Sequence, residues 1–236
     1  VRNVTWSVIG TIPNVKLQYS RDIVTPFSTD VQLITASTPS TGTYAWTIPD
    51  SISDTVRVRV SDPNDIGALD DSNAAFRITG DFTVTTPNGG EQWMVGDTNN
   101  ITWTKTGSVT NAKIEYFTNG GATWALIIQT LNNGTYAWLA PDAITASALI
   151  RLSDPADATA NDVSNAVFKI KARFTLTAPN GGEVWTVVES RNITWTNTGT
   201  VANVKLDYSA NGGTSYPNVI TASVATDGRR RHQHQL

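Results

Sequence analysis

The stretch PNGGEQWMVGDTNNITWT at residues 87–104 occurs again at residues 179–196 as PNGGEVWTVVESRNITWT, 92 residues further along the chain. A second stretch, GTYAWTIPD at residues 42–50, returns as GTYAWLAPD at residues 134–142, at the same offset of 92 residues. A catalytic site needs one copy of its residues, whereas a building block is repeated. The fixed offset therefore predicts tandem repeats, each the size of one small domain.

The offset divides the 236 residues into three unequal repeats and a tail. Residues 81–172, the second repeat, contain every segment of the pattern. Residues 1–80, the first repeat, lack the opening strand, and residues 173–228, the third repeat, end after the fourth or fifth strand. Residues 229–236, RRRHQHQL, match no other part of the chain. We interpret both ends as truncation edges and the tail as either a tag-like or frameshifted addition or a native basic tail.

Apolar and polar residues alternate through most of each repeat. In the second repeat Ile101 and Trp103 alternate with threonines, which predicts a strand with one buried and one solvent-facing side. Segments of this kind, about seven per repeat, are typical of antiparallel sheets, as are the Asn-Gly-Gly turns at residues 119–121 and 211–213. Since no helical pattern is present, the sequence predicts an all-β fold of tandem immunoglobulin/fibronectin-III-like β-sandwiches.

Composition excludes several classes of function. The formal net charge is −3, and three of the positive charges stand together at residues 229–231. The rest of the chain is therefore mildly acidic, which argues against nucleic acid as a partner. No apolar run reaches the roughly 18 residues that a membrane span needs, so we expect no membrane insertion. The chain has no cysteine, and both histidines, His232 and His234, lie in the tail. The repeats therefore supply no Ser-His-Asp triad, no cysteine nucleophile and no His- or Cys-ligated zinc site.

A glycosidase that uses a pair of carboxylates stays formally open. However, the acidic residues recur from repeat to repeat, and no pair unique to one place stands out. We therefore predict that the chain is not an enzyme and that it needs no cofactor.

The repeated motifs carry a resemblance to a known family. PNGGE-x-W, N-I-T-W, Y-x-W-x-x-P and I-R-x-S-D follow one another in order, and together they resemble the repeat of the Ser/Thr-rich, GPI-anchored yeast cell-wall β-glucan synthesis family. Bacterial relatives of that repeat occur in tandem in large secreted and surface proteins. The resemblance covers nearly all of residues 2–228. It implies an immunoglobulin-like sandwich outside a cell, and it brings no catalytic residues with it.

Acidic residues recur in the loop that reads SDPNDIGALDDSN in the first repeat and SDPADATANDVSN in the second. Oxygen-only ligands on one loop suit Ca²⁺, so the sequence raises the hypothesis of a structural calcium site that also includes an aspartate of the linker. The alternative is that these aspartates cap turns. The residues concerned are Asp62, Asp65, Asp70, Asp154, Asp157, Asp162 and Asp81.

Eight tryptophans invite a carbohydrate-binding interpretation, but seven of them recur or alternate inward and are better explained as core residues, Trp103 and Trp138 foremost. Trp124 is the exception, because it follows a predicted hairpin turn and is therefore expected to be exposed. Tyr216 is its counterpart, 92 residues later, and follows the corresponding turn. They are the candidate sugar-binding residues. Four sequons offer glycosylation sites if the source organism glycosylates, at Asn3, Asn100, Asn133 and Asn192.

Together these observations predict a non-catalytic, extracellular or cell-surface repeat segment: a stalk, spacer or filament building block of a larger surface or secreted protein. The linkers around residues 78–82 and 170–174 are short, which restricts tilting and favours an extended rod. The expected partners are neighbouring immunoglobulin-like domains of the same or adjacent chains, and cell-wall or surface glycans. The alternative function is a carbohydrate-binding accessory module of a secreted enzyme.

Overall fold

The structure is a computed structural model that describes residues 1–22, 27–65, 67–118 and 123–226, together with the backbone of residues 232–235. This part of the chain consists of strands, turns and irregular segments, and it contains no helix. The all-β prediction is confirmed. The described residues accordingly form no helix that is long and apolar enough to cross a membrane. The turn predicted at residues 119–121 lies outside the described residues.

The strands are numbered in chain order. The first repeat contains β1 (Arg2–Thr5), β2 (Asn14–Ser20), β3 (Val31–Pro39), β4 (Thr43–Trp46), β5 (Ser53–Ser61), β6 (Leu69–Asp71) and β7 (Phe76–Ile78). The second contains β8 (Asp81–Thr86), β9 (Gln92–Met94), β10 (Thr98–Thr106), β11 (Asn111–Phe117), β12 (Ala125–Leu131), β13 (Thr135–Leu139), β14 (Thr145–Ser153), β15 (Asn161–Val163) and β16 (Phe168–Lys171). The third contains β17 (Arg173–Ala178), β18 (Asn192–Thr198), β19 (Asn203–Tyr208) and β20 (Asn218–Ala225), and β21 (His232–Gln235) comes from the tail.

In the second repeat two sheets pack against each other. One sheet has the strand order β13-β10-β8, and the other has the order β12-β11-β14-β16-β9, with β15 paired to β14. The ring of Trp138 in the first sheet lies 5.0 Å from the ring of Tyr116 and 5.8 Å from the ring of Trp93 in the second sheet, measured between centroids. Trp103 and Trp138 are 4% and 7% exposed. Their predicted place in the core of a sandwich is confirmed.

The repeated PNGGE sequence forms a turn that its own glutamate closes. The N–H groups of Asn88 and Gly89 donate to the carboxylate of Glu91 at 2.8 and 2.9 Å. Glu183 closes the corresponding turn of the third repeat in the same way, at 2.8 and 2.7 Å. Gly89 has a φ of +134°, and a Cβ there would lie 2.7 Å from the Cβ of Ala166, so the turn requires glycine. In the second repeat this turn leads directly into β9.

The first repeat forms one two-stranded sheet, β1-β4, and a larger sheet of order β3-β2-β5-β6 in which β7 also pairs with β5. Its core is the buried cluster of Tyr19, Trp46, Val56 and Ile78. The rings of Tyr19 and Trp46 lie 5.2 Å apart. These residues come from the strand positions at which the alternation predicts a buried face.

The third repeat forms the sheets β17-β18-β21 and β19-β20. β21 is antiparallel to β18, with residue 234 opposite Ile193. The tail thus supplies a strand although its sequence matches no repeat. Leu176 of β17 is 45% exposed, whereas its counterpart Val84 in the second repeat is 1% exposed.

Five of the seven tryptophans assigned to the core are buried: Trp46, Trp93, Trp103, Trp138 and Trp195. Trp6 is half-buried. The core assignment of Trp185 is wrong, because this side chain is 37% exposed. In the second repeat the counterpart of Trp185 is covered by Trp138 of β13 and Phe168 of β16. In the third repeat β21 pairs with β18 as β13 pairs with β10, but the described residues include no counterpart of β16.

The described residues of the second repeat form nine strands rather than about seven. The two strands that the sequence did not predict, β9 and β15, have three residues each, which is too short for an alternating pattern.

The chain divides into two compact units, and these units do not follow the repeats. Residues 1–82, 105–112 and 153–161 form the first unit; residues 83–104, 113–152 and 162–236 form the second. The first unit therefore includes three short segments of the second repeat, residues 81–82, 105–112 and 153–161. The repeat boundaries after residues 80, 172 and 228 stay predictions.

Candidate functional site

A carboxylate joins two consecutive repeats within the first unit. Asp50 lies between β4 and β5, and Ser108 lies between β10 and β11. One oxygen of Asp50 accepts the backbone N–H of Ser108 at 2.9 Å, and the other accepts the hydroxyl group of Ser108. A single side chain of the first repeat thus satisfies both polar donors of one residue in the second repeat.

The same contact recurs 92 residues later within the second unit. Asp142, the counterpart of Asp50, accepts the backbone N–H of Thr200 at 2.8 Å through one oxygen and the hydroxyl group through the other. Serine and threonine differ by a methyl group and present the same donor pair. We refer to the Asp50–Ser108 and Asp142–Thr200 pairs as the joint contacts. Their recurrence shows that the period of the sequence also governs how each repeat meets the next.

A glycine precedes the hydroxyl residue in both joint contacts. Gly107 and Gly199 have φ values of +83° and +95°, in the left-handed region that favours glycine. A Cβ at Gly107 would lie 3.3 Å from the Cδ1 of Ile52, and a Cβ at Gly199 would lie 3.3 Å from the Cδ1 of Ile144. The positive φ turns the following N–H group toward the aspartate, and the missing side chain lets the isoleucine approach.

Among the described residues each joint also contains an ion pair, and the two pairs do not occupy corresponding positions. Arg77 contacts Asp157 at 2.6 Å in the first unit, and Arg173 contacts Asp97 at 2.5 Å in the second. Both arginines are about half-exposed, so each pair is expected to contribute only about 0–1 kcal/mol.

The joint contacts stabilise the ionised carboxylates. The pKa of Asp50 is lowered, first by the hydrogen bond from the Ser108 hydroxyl and then by the bond from its backbone N–H. The pKa of Asp142 is lowered in the same way by Thr200. Both aspartates are solvent-exposed. At neutral pH they are therefore charged acceptors, and their hydrogen bonds are of the stronger, charge-assisted kind.

The acidic loops form turns in both repeats. Asp62 and Asp65 accept the backbone N–H groups of residues 64 and 67 at 2.8 and 2.9 Å. Asp154 and Asp157 do the same for residues 156 and 159, at 2.8 and 3.0 Å. These are the geometries of Asx turns.

The other three aspartates of the calcium hypothesis have different surroundings. Asp162 accepts the N–H of Val84 at 2.7 Å, and Asp81 accepts the N–H of the next residue at 2.9 Å. Asp70 is exposed on β6. Within the described residues no three acidic or histidine side chains form a group that would hold a metal ion. Calcium binding stays an untested prediction.

The two candidate sugar-binding residues have different surroundings. Trp124 is half-buried: its ring lies 4.8 Å from the ring of Phe117, and the guanidinium carbon of Arg151 lies 4.5 Å above it. Tyr216 is 60% exposed in the third repeat. One face of Trp124 is thus occupied by a cation, which leaves less aromatic surface for a sugar.

All four sequon asparagines are exposed. Asn3, Asn100 and Asn192 lie within β1, β10 and β18, and Asn133 lies in the turn before β13. The side chain of Asn133 accepts the N–H of Thr135 at 3.2 Å. Glycosylation of these residues stays a prediction.

Glu115, Lys113 and Arg151 form a charged cluster that the sequence did not predict. Glu115 is 5% exposed, although the alternation in β11 assigns it to the polar face. Its carboxylate binds the ammonium group of Lys113 at 2.8 Å and the guanidinium group of Arg151 at 2.6 Å. Burial raises the pKa of Glu115, but the hydrogen bonds from Lys113 and Arg151 outweigh burial, so that the pKa is lowered overall. Lys113, two residues before Glu115, is the feature of the sequence that could have indicated an ion pair.

No protein-family model and no curated protein matches the chain. The similar solved structures include a tetra-tandem repeat from the extending region of a large adhesion protein, with a TM-score of 0.35 and 17% sequence identity over 99% of this chain and 60% of that chain. They also include the IG1 and IG2 domains of DIP-gamma, with a TM-score of 0.26 and 9% identity over 66% of this chain and 83% of that chain. The chain thus spans three fifths of the adhesion-protein structure. Both likenesses are too distant to carry an argument about this chain.

Proposed function

We propose that this chain is a non-catalytic, structural and adhesive repeat segment that serves as a stalk or spacer of a larger surface or secreted protein. The observation that supports this proposal is the recurrence of the joint contacts. An aspartate at residues 50 and 142 binds a hydroxyl residue 58 positions later in both cases. A contact that recurs at the same offset suits a spacer, because a spacer needs every joint to behave alike.

The chemistry of the joint contacts suits a spacer. Two hydrogen bonds from one carboxylate to one residue define a direction as well as a distance, since both oxygens must be correctly placed. The glycine beside each contact lets an isoleucine approach closely, which adds packing to the hydrogen bonds. A flexible linker between independent domains would show neither feature.

Nuclear magnetic resonance relaxation of the full chain tests this proposal. We expect the amides of the first and second repeats to report one common rotational correlation time. Replacing both Asp50 and Asp142 with alanine should make the correlation time of the first repeat differ from that of the second. Both times should also become shorter, because the repeats then move independently. Asp62→Ala is the matched control, since Asp62 is an aspartate that caps a turn inside one repeat. Independent tumbling of the repeats in the wild-type chain would contradict the proposed role.

The joint contacts should also respond to pH in one direction. Because the pKa values of Asp50 and Asp142 are lowered in the folded protein, their contribution is fully present above the unfolded value of about 3.9 and is lost as the pH falls through the lowered folded value. We therefore expect the common correlation time to persist at pH 5 to 8 and to break down only in acid. A breakdown near neutral pH would assign the stiffness to other groups.

A further inference from the structure

One side of the second repeat is formed by two end strands without charged residues. β12 is the end strand of the larger sheet, β13 is the end strand of the smaller sheet, and residues 132–134 join them. Within the described residues no other strand pairs with the outer side of either. Residues 116–141, which contain both strands, include no acidic and no basic residue. We refer to the free outer side of β12 as the open edge.

The open edge is apolar. Leu126 and Leu131 of β12 are 57% and 67% exposed, and Leu139 at the end of β13 is 61% exposed. Because side chains alternate along an extended strand, Leu126 and Leu131 point to opposite faces of the sheet. β12 therefore exposes leucine on both faces, together with the backbone groups that an end strand leaves unpaired.

Three related edges are protected in ways that β12 is not. At the opposite end of the same sheet β9 has only three residues, and at the opposite end of the smaller sheet β8 begins with Asp81. In the first repeat the counterpart of β12 is β3, which ends in Pro39 where β12 ends in Leu131. Short edge strands, charges and proline all discourage pairing with another chain. β12 has seven residues and contains neither a charge nor a proline.

We propose that the open edge is an interface between two copies of this chain, in which β12 pairs antiparallel with β12 of the second copy. Pairing of this kind joins two sheets through backbone hydrogen bonds. The open edge carries no charge that would select a partner of opposite charge, whereas an uncharged strand can lie against a copy of itself without opposing like charges. The composition of the edge therefore favours a second copy as the occupant.

A register centred on Ile128 uses the whole strand, because residues 125–131 are symmetric about residue 128. Leu131 then lies beside Ala125 of the second copy. Leu126 lies beside Thr130, so each leucine meets a smaller side chain. The two copies of Ile128 meet at the two-fold axis as a β-branched pair, which suits a strand. The contact uses the same surface of both copies, so it closes as a dimer.

The interface is small. Two paired strands of seven residues are about 24 Å long at about 3.4 Å per residue, which gives less area than the roughly 800 Å² per partner of a standard interface. We therefore expect a weak, reversible dimer. The inference adds a lateral partner to the proposed structural role and does not depend on the joint contacts, none of which includes a residue of β12 or β13.

Hydrogen exchange of the full chain at increasing protein concentration tests the interface. We expect the amides of β12 to exchange more slowly as the concentration rises, in step with dimer formation in sedimentation equilibrium. Gln129→Lys should raise the dimer dissociation constant at least about tenfold, because the two lysines lie diagonally across the axis and the edge offers them no acidic partner. Thr104→Lys is the matched control. It adds the same charge at an exposed position of β10, the middle strand of the smaller sheet, and should leave the constant unchanged.

Paired cysteine variants test the register, since the chain has no cysteine of its own. Leu126→Cys mixed with Thr130→Cys should form a mixed disulfide under mild oxidation, because directly opposite residues lie within disulfide reach. Leu126→Cys mixed with Gln129→Cys should give only background linkage, because residue 129 points to the other face of the sheet. Circular dichroism checks that each variant keeps its fold.

Three results would overturn the inference: exchange of the β12 amides that does not change with concentration, a dimer that Gln129→Lys and Thr104→Lys weaken equally, or a mixed disulfide no stronger at residue 130 than at residue 129. The proposed function is tested separately, because the relaxation experiment can be run on the monomeric Gln129→Lys variant. Stiff joints in that variant, without concentration-dependent protection of β12 in the wild-type chain, would refute this inference and leave the proposed function standing.

Discussion

Replacing Trp103 with alanine is the most direct test of the second repeat's core. The indole is 4% exposed, and its Nε1–H donates to the side-chain oxygen of Asn132 at 2.6 Å, where Asn132 is itself 7% exposed. Removing a buried aromatic ring costs about 3–5 kcal/mol through lost contacts and the cavity that remains. Depriving the buried amide oxygen of this donor adds about 1–3 kcal/mol. A small domain has only about 5–15 kcal/mol in total, so the variant should lose a large part of its stability.

Urea titration of the full chain, followed by hydrogen exchange of the β10 and β13 amides, measures this loss in the repeat concerned. Trp103→Phe separates the two contributions: it keeps an aromatic ring but removes the donor to Asn132, so we expect a loss of about 1–3 kcal/mol. Trp124→Ala is the control, because its ring is half-buried and should cost less. If β10 stays fully protected in Trp103→Ala, the assignment of its inward face is refuted.

Three further outcomes follow from the described contacts. Arg151→Ala should lower the free energy of unfolding by about 1–3 kcal/mol, because it removes a partner of the buried Glu115, and the loss should shrink once acid protonates that carboxyl group. In differential scanning calorimetry, exchanging EDTA for Ca²⁺ should leave the melting temperature unchanged, because Asp154 and Asp157 already accept backbone hydrogen bonds; a rise would show that a calcium site forms. On a glycan array, binding should not depend on Trp124, because a guanidinium group covers one face of its ring, and a signal lost in Trp124→Ala would restore the carbohydrate-binding alternative.

Alternation in the sequence predicted the faces of long strands well, because neighbouring side chains of a strand point to opposite sides. Ile101 and Trp103 are buried as expected. The prediction broke down in β11 after Ile114, where Glu115 is buried and Tyr116 is only half-buried. The reason is that Arg151, 36 residues away, covers the polar face of this strand. A local pattern contains no information about such a partner.

The joint contacts were half predictable. Asp50 and Asp142 stand at the same place in the repeated Y-x-W-x-x-P-D sequence, which marks them as positions with a common task. Their partners recur at the same offset, as TGSV at residues 106–109 and TGTV at residues 198–201, but they lie 58 residues beyond the aspartates, and nothing in the sequence shows that the two positions meet. Acidic loops and exposed aromatics were the expected functional residues, since those residue types have known ligand chemistry. The recurring contact instead uses a carboxylate to bind the protein's own backbone.

Trp93 and Trp185 show why a repeated sequence does not guarantee a repeated environment. Both follow a PNGGE turn that a glutamate closes, so the local structure up to that point is the same. Trp93 is 7% exposed because β16 pairs with its strand and the ring of Phe168 lies 4.9 Å from its own. Trp185, at 37% exposure, follows the same PNGGE motif, but among the described residues no strand pairs with its segment. The motif therefore determines the local turn and the position of its tryptophan. Whether that tryptophan is buried depends on which strand pairs with the segment that contains it.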